Sequence, residues 1–269
     1  MVKLSNNSTP TIKGLIYQFL VALGKCFELQ AGETVYIETY GDISILGCND
    51  TVQIESKFYK ENLTDYDHNI WNTLNNWLKE SFPIDSFSSL VLLTTQNVKS
   101  TSIWFGWNDK NIAEKLQILQ NAALKYYRKK SSKDAKTEKL IQSVLNEAKF
   151  ERLKIALKKF AIDNNALNDI KYYKYIKETH AKTIPEIRQD EFIRSMLGYV
   201  ISPQTIDNNW SITYDDFRQE VNILAQSLID TTTHFPSKIR LIDIKHEEYN
   251  TNPFVDKIKQ IEYNEVVLE

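Results

Sequence analysis

The chain has 269 residues, 42% of them hydrophobic and 25% charged, with a formal net charge of −2. That length can bury a core in one or two domains, and no apolar run approaches the roughly 20 residues of a membrane span, so no membrane partner is expected. Two cysteines, Cys26 and Cys48, and four scattered histidines exclude a disulfide scaffold and a zinc module, which leaves a hard, oxygen-liganded metal as the kind to look for.

The opening MVKLSNNSTPTIKG lacks the apolar core of a secretory signal, so a cytoplasmic address is expected. Next, apolar residues at 12, 15, 16, 19, 20, 23 and 27 trace one helical stripe, with Gly32 beyond its end as a stop. Three short β-like runs come after it, 34–40, 42–47 and 51–59, separated by glycine-bearing turns that suit an antiparallel meander. The segment DYDHNIWNTLNNWLKESF reads as a helix with Ile70, Leu74, Trp77, Leu78 and Phe82 inward. Asp65 is the expected cap there, and Asp65, Asp67 and His68 are read as a helix start, not a metal cluster. SSLVLLTT (88–95) reads as a strand covered on both faces. The triplet Trp104, Phe105 and Trp107 is read as an anchor of the helical part to the sheet.

Six of the seven glycines fall at or before Gly106, which suggests a strand-and-turn part followed by a helical one. Helices are expected over 111–130, 136–161, 166–180, 185–200 and 213–230, with a last β-like run at 239–245. The expected division is therefore 1–110, an α/β domain, and 111–269, a mainly α-helical region for oligomerisation, partner docking or DNA contact. From Lys125 to Lys159 there are twelve Lys or Arg against four Asp or Glu. Such a run is either a solvated helix face or a nucleic-acid surface, with Lys125, Arg128, Lys129 and Lys130 beside Tyr126 and Tyr127 as candidate DNA-backbone contacts.

The segment TVQIESKFY alternates. Strand side chains change face at every residue, so Gln53, Glu55 and Lys57 share one surface while Val52, Ile54 and Phe58 share the other. The row is either an ordinary solvated sheet face or part of a metal-dependent phosphodiesterase site. Phosphodiester cleavage needs a hard cation, a positioned water and neutralised charge at phosphate. An Asp followed by [Asp/Glu]-x-Lys on a neighbouring strand meets that need, and here it reads Asp42, then Glu55 and Lys57. The tripeptide alone is weak: it occurs at Glu55, Asp134, Glu147, Asp169 and Asp243. Three of these lie in helical or polar stretches, and Asp243 is the competing site. Glu38 is a candidate further ligand for Mg²⁺ or Mn²⁺.

Gly14-Leu15-Ile16-Tyr17-Gln18 opening a helix, then IETYGDISI, VQIESKF and the helix with Trp71, Leu74 and Trp77, resemble the N-terminal nuclease domain of the CD-NTase-associated double-stranded DNA endonucleases. That domain belongs to the PD-(D/E)XK superfamily. The resemblance spans about residues 10–100. It implies a restriction-endonuclease-like core, with Asp42 and Glu55 as metal ligands and Lys57 as catalytic lysine. Gln53 would orient phosphate or water, Glu38 would hold a second metal, and Gln18 would reach the same site or the DNA. It further implies an effector of bacterial antiphage defence of the CBASS or Lamassu type. Double-stranded DNA would be the substrate, the active form a homo-oligomer, and an SMC-like ATPase a partner subunit. Lys57→Ala is expected to abolish cleavage with the fold nearly intact. The alternatives are a non-catalytic DNA-binding or scaffold subunit that keeps the nuclease-like core, and a helical adaptor with no central sheet over 34–95.

Overall fold

Six short strands and the helices between them build the protein in a computed structural model that describes residues 8–47, 50–128 and 134–230. Helix α1 (Thr9–Glu28) leads into β1 (Thr34–Ile37), β2 (Ile43–Leu46) and β3 (Val52–Lys57). Helix α2 (His68–Trp77) and β4 (Ser89–Thr94) come next, then α3 (Ile112–Arg128), α4 (Ala135–Val144), α5 (Phe150–Lys159) and β5 (Phe160–Asp163). The described chain closes with α6 (Asp169–His180), α7 (Gln189–Val200), α8 (Pro203–Asp207), β6 (Ser211–Thr213) and α9 (Tyr214–Asp230).

The strands form one mixed sheet in the order β5-β4-β3-β2-β1-β6. Strands β3, β4 and β5 run parallel, whereas β2, β1 and β6 join antiparallel. The expected meander and the strand at 88–95 are therefore present, and the adaptor reading without a central sheet is excluded. Both edge strands, β5 and β6, come from beyond residue 110, in the stretch expected to be helical. The run at 239–245, with Asp243, lies outside the described residues.

Apolar side chains cover the sheet on both faces. Leu90 and Leu92 of β4 enter a cluster with Trp71 and Trp77 of α2, Leu119 of α3, Ile141 of α4 and Leu157 of α5. Leu93 enters the other cluster, with Leu20 and Leu23 of α1, Ile176 of α6, Met196 of α7 and Phe217 of α9. Alternation along one strand thus serves two layers, as a doubly covered strand requires. Trp104 and Trp107 are buried in the first layer and Phe105 is exposed; Trp107 packs on the first residue of β5, through the Trp107–Phe160 ring contact at 5.3 Å.

Several local expectations shift. The helix stripe is buried only from Tyr17 onward, while Ile12, Leu15 and Ile16 are 52%, 42% and 44% exposed. The α2 cap is Asp67, whose carboxylate accepts from Asn69 N at 2.9 Å. Asp65 instead accepts from Ser102 Oγ and Ile103 N, tying the loop after β4 to α2. The helix expected over 136–161 is broken at Leu145–Lys149, where Asn146 caps a new turn. Its last residues become β5 because β4 offers a free parallel edge, and Lys115 fixes that exit. The buried Lys115 Nζ donates to Leu157 O at 3.2 Å and Phe160 O at 2.9 Å, capping α5 beneath the Trp107 ring.

Candidate functional site

Register brings the acidic residues together. Strands β2 and β3 pair Ile43 with Ile54 and Ser44 with Gln53, so one step further Asp42 stands opposite Glu55. Directly opposed residues of an antiparallel pair share a face. The two carboxylates therefore lie on the face that α2 covers, while Ile43 and Ile54 line the other.

Asp42 ends a tight turn. Glu38 N donates to Asp42 O at 3.2 Å, Glu38 takes a left-handed φ of 55°, and Gly41 takes φ 116°. A Cβ on Gly41 would lie 2.2 Å from Gln53 Nε2 and 3.0 Å from Glu55 Oε1. Glycine is needed for both the conformation and the close approach. From the opposite layer, Gln18 Nε2 donates to Glu38 Oε1 at 2.7 Å and to Asp42 O at 3.1 Å. Gln18 thus clamps the turn that carries Asp42.

Lys57 closes the constellation. Its Nζ lies 3.4 Å from Asp42 Oδ2 and 3.2 Å from Glu55 Oε2. Asp42 Oδ2 also accepts from Ser56 N at 2.8 Å and Ser56 Oγ at 3.2 Å. Burial pushes the Glu55 carboxyl up, and the Asp42 charge adds to that, against the opposing pull of Lys57 and Gln53. Burial would lower Lys57, but the charges of Glu55 and Asp42 outweigh it and hold the ammonium above its ordinary range. Oxygens from two carboxylates, one from the turn before β2 and one from β3, thus converge on one cationic atom, and Asp42 and Glu55 are the residues that could hold a metal.

This row is not a solvated sheet face. Gln53 is fully buried and Glu55 is 7% exposed, because Trp77 of α2 lies over them. Trp77 Nε1 donates to Gln53 Oε1 at 2.6 Å, and Gln53 Nε2 donates to Glu55 Oε1 at 3.1 Å. With both ends of its amide engaged, Gln53 faces Glu55 and not a phosphate or water. Glu38 is exposed, and its left-handed backbone takes its carboxylate to Gln18. Among the described residues no group of three or more His, Cys, Asp or Glu side chains gathers as a metal cage, so Glu38 does not join Asp42 and Glu55 in one. Lys57 also screens the two carboxylates from each other, so Lys57→Ala removes two ion pairs along with the ammonium.

Three of the other tripeptide matches serve local structure: Asp134 caps α4, Glu147 begins a short turn and Asp169 lies in the first turn of α6. Lys125 and Arg128 are exposed at the end of α3, and no described contact links them to the carboxylates; Lys129 and Lys130 lie outside the described residues. Tyr126 is buried against Tyr66, with ring centroids 4.9 Å apart. Of the remaining cations in the basic run, Lys159 and Arg152 donate to backbone carbonyls after α2, and Lys149 donates to Ser143 Oγ. Three of the twelve basic residues of that run therefore work inside the fold. Sequence reasoning missed the role of Trp77, whose helical spacing marks it only as core, and of Ser56, the unspecified residue of the tripeptide.

No family model matches the chain, and no curated protein does. Two solved structures are similar to it. A Moraxella osloensis Cap4 SAVED/CARF-domain containing receptor is 14% identical over 77% of this chain and 47% of that one, with a TM-score of 0.42. An Acinetobacter baumannii Cap4 SAVED/CARF-domain containing receptor, solved with the cyclic trinucleotide 3'3'3'-cAAA, is 11% identical over 84% of this chain and 46% of that one, with a TM-score of 0.45. The chain spans just under half the length of each. Likeness this distant carries no information about activity, and the activity of this chain has to be read from its own site.

Proposed function

We propose that the chain is a Mg²⁺- or Mn²⁺-dependent endonuclease of restriction-endonuclease-like fold that cuts double-stranded DNA. The observation that supports this best is the convergence of Asp42, Glu55 and Lys57: two hard carboxylates, one from the turn before β2 and one from β3, meeting at one cationic atom at 3.4 and 3.2 Å. The donor set fits the group. Mg²⁺ is commonly held by one or two carboxylates, with waters and substrate phosphate completing its shell. Asp42 and Glu55 would hold it, and when bound it supplies charge neutralisation at phosphate and acidifies water.

The chain's own residues have separate tasks. Gln18 and Ser56 keep Asp42 aimed, Gln53 keeps Glu55 aimed, and Lys57 holds a positive charge at the place where phosphate charge would develop. Double-strand cleavage takes two such sites, so a homo-oligomer is the proposed active form. The proposed role as an antiphage effector, restrained or triggered by partner subunits such as an SMC-like ATPase, rests on the sequence resemblance over residues 10–100. Among the described residues no helix is long and apolar enough to cross a membrane. A second reading, a non-catalytic subunit, is favoured by one feature: the Lys57–Glu55 pair already neutralises the buried carboxylate.

Plasmid cleavage decides between them. Full-length protein with Mg²⁺ is expected to consume supercoiled DNA. Glu55→Gln and Lys57→Ala are expected to lose on the order of 10²–10³-fold or more in rate. Unfolding curves run alongside separate chemistry from the stability that Lys57→Ala also loses. Equal cleavage by wild type and Glu55→Gln, or none by wild type with its operon partners present, would leave the scaffold reading in place.

A further inference from the structure

Trp77 and Gln53 form a chain of directed hydrogen bonds that ends on Glu55. An indole N–H can only donate, so the atom facing it at 2.6 Å must be Gln53 Oε1. The other end of the amide is thereby fixed as the NH₂ group, which donates to Glu55 Oε1 at 3.1 Å. Remove the indole donor and Glu55 Oε1 alone is left to hold that flip of the amide. The wrong flip would set an amide oxygen against a carboxylate oxygen. Trp77 is itself held by an edge contact with Phe160, ring centroids 5.2 Å apart and 66° inclined. Gly41, with no Cβ, leaves the room that the same amide occupies. The outcome is a carboxylate whose Oε1 is occupied and whose Oε2 is turned toward Lys57 at 3.2 Å.

We propose that Trp77, acting through Gln53, is a positioning residue that presents Glu55 Oε2 to a divalent cation. The inference rests on the nuclease reading above, and it deepens it by naming a residue of α2 that touches neither metal nor DNA. Outer hydrogen-bond partners of metal ligands are worth about 10–100-fold in metal affinity.

The test is Mn²⁺ binding to the full chain by titration calorimetry, which needs no DNA and no turnover. Trp77→Phe keeps the ring packing and deletes the N–H, while Gln53→Met keeps the volume and deletes both amide ends. Each is expected to weaken Mn²⁺ binding by about 10–100-fold. The double variant is expected to bind no more weakly than Gln53→Met alone, because a relay has nothing left to transmit once its middle is gone. Wild-type affinity in Trp77→Phe, or losses that multiply in the double variant, would overturn the relay while leaving the nuclease reading standing. A wild-type chain that binds no Mn²⁺ overturns both. Circular dichroism checks folding; should Trp77→Phe fail to fold, unchanged affinity in Gln53→Met overturns the proposal by itself.

Discussion

Gly41 carries a demand that no other residue type meets. Its φ of 116° is costly for any L side chain, and an added Cβ would fall 2.2 Å from Gln53 Nε2. Gln53 cannot withdraw, because Trp77 holds its far end and the β3 backbone its near end. Gly41→Ala is therefore expected to destabilise the protein by about 2–4 kcal/mol, combining backbone strain with a displaced buried amide. Urea unfolding measures it, and a loss under about 0.5 kcal/mol, the size of an ordinary surface change, would show that the turn relaxes freely. At this scale the sequence was informative about residue type and much less so about company. Period-two alternation placed Gln53, Glu55 and Lys57 on one face, and the glycine turn placed Asp42 near them. Burial was not legible, because a polar row looks the same whether water or a tryptophan covers it.

At the scale of elements, helix existence came from periodicity and helix ends from competition. The stretch 136–161 keeps its apolar spacing across the break at Leu145–Lys149, so periodicity does not announce that α4 and α5 are separate, and the local sign is Asn146, which caps the new turn. Tertiary contacts reinforce the separation. Ser143 of α4 donates to Asn75 of α2 at 2.7 Å, and Lys115 draws the end of α5 toward the sheet. The contact between α1 and α6 carries a pH dependence. His180 stacks on Phe27 with centroids 4.4 Å apart and planes 7° inclined, and its Nε2 is buried without a partner. Burial holds His180 below its ordinary value, against the pull of Glu28 and with Lys182 adding to the drop. A folded-state value below the unfolded one means that the unfolded chain binds the extra proton first. The contribution is present above the ordinary histidine value of about 6.5 and is lost as pH falls through the folded value. Wild type and His180→Phe are thus expected to have Tm profiles that run parallel above about pH 7 and separate below about 6.5, the wild type falling more steeply. Parallel profiles down to about pH 5 would show that the folded chain binds the proton as readily as the unfolded one, so that burial does not hold the ring neutral.

Across the whole molecule, the sheet reaches past the boundary that composition suggests. Glycine-rich turns end near residue 110, and helices dominate afterwards, yet β5 and β6 return to pair with β4 and β1. These edge strands are four and three residues long, too short for alternation to reveal them in sequence. Their removal would do more than shorten a sheet. Without residues beyond 110, β4 would present an unpaired parallel edge, and Leu90 and Leu92 would lose Leu153, Leu157 and Phe160 as cover. On the other side, β1 would lose its antiparallel neighbour, and Val35 and Ile37 would lose Ile212 and Phe217. Two open edges with uncovered apolar faces favour association over folding. A fragment of residues 1–110 is therefore expected to unfold without a cooperative transition or to elute as aggregate, although it contains every residue of the Asp42, Glu55 and Lys57 constellation. Size exclusion with circular dichroism melting is the measurement. A monomeric fragment with a sharp melt would mean that the later helices only decorate a core able to stand alone, and that the carboxylates keep their geometry without them.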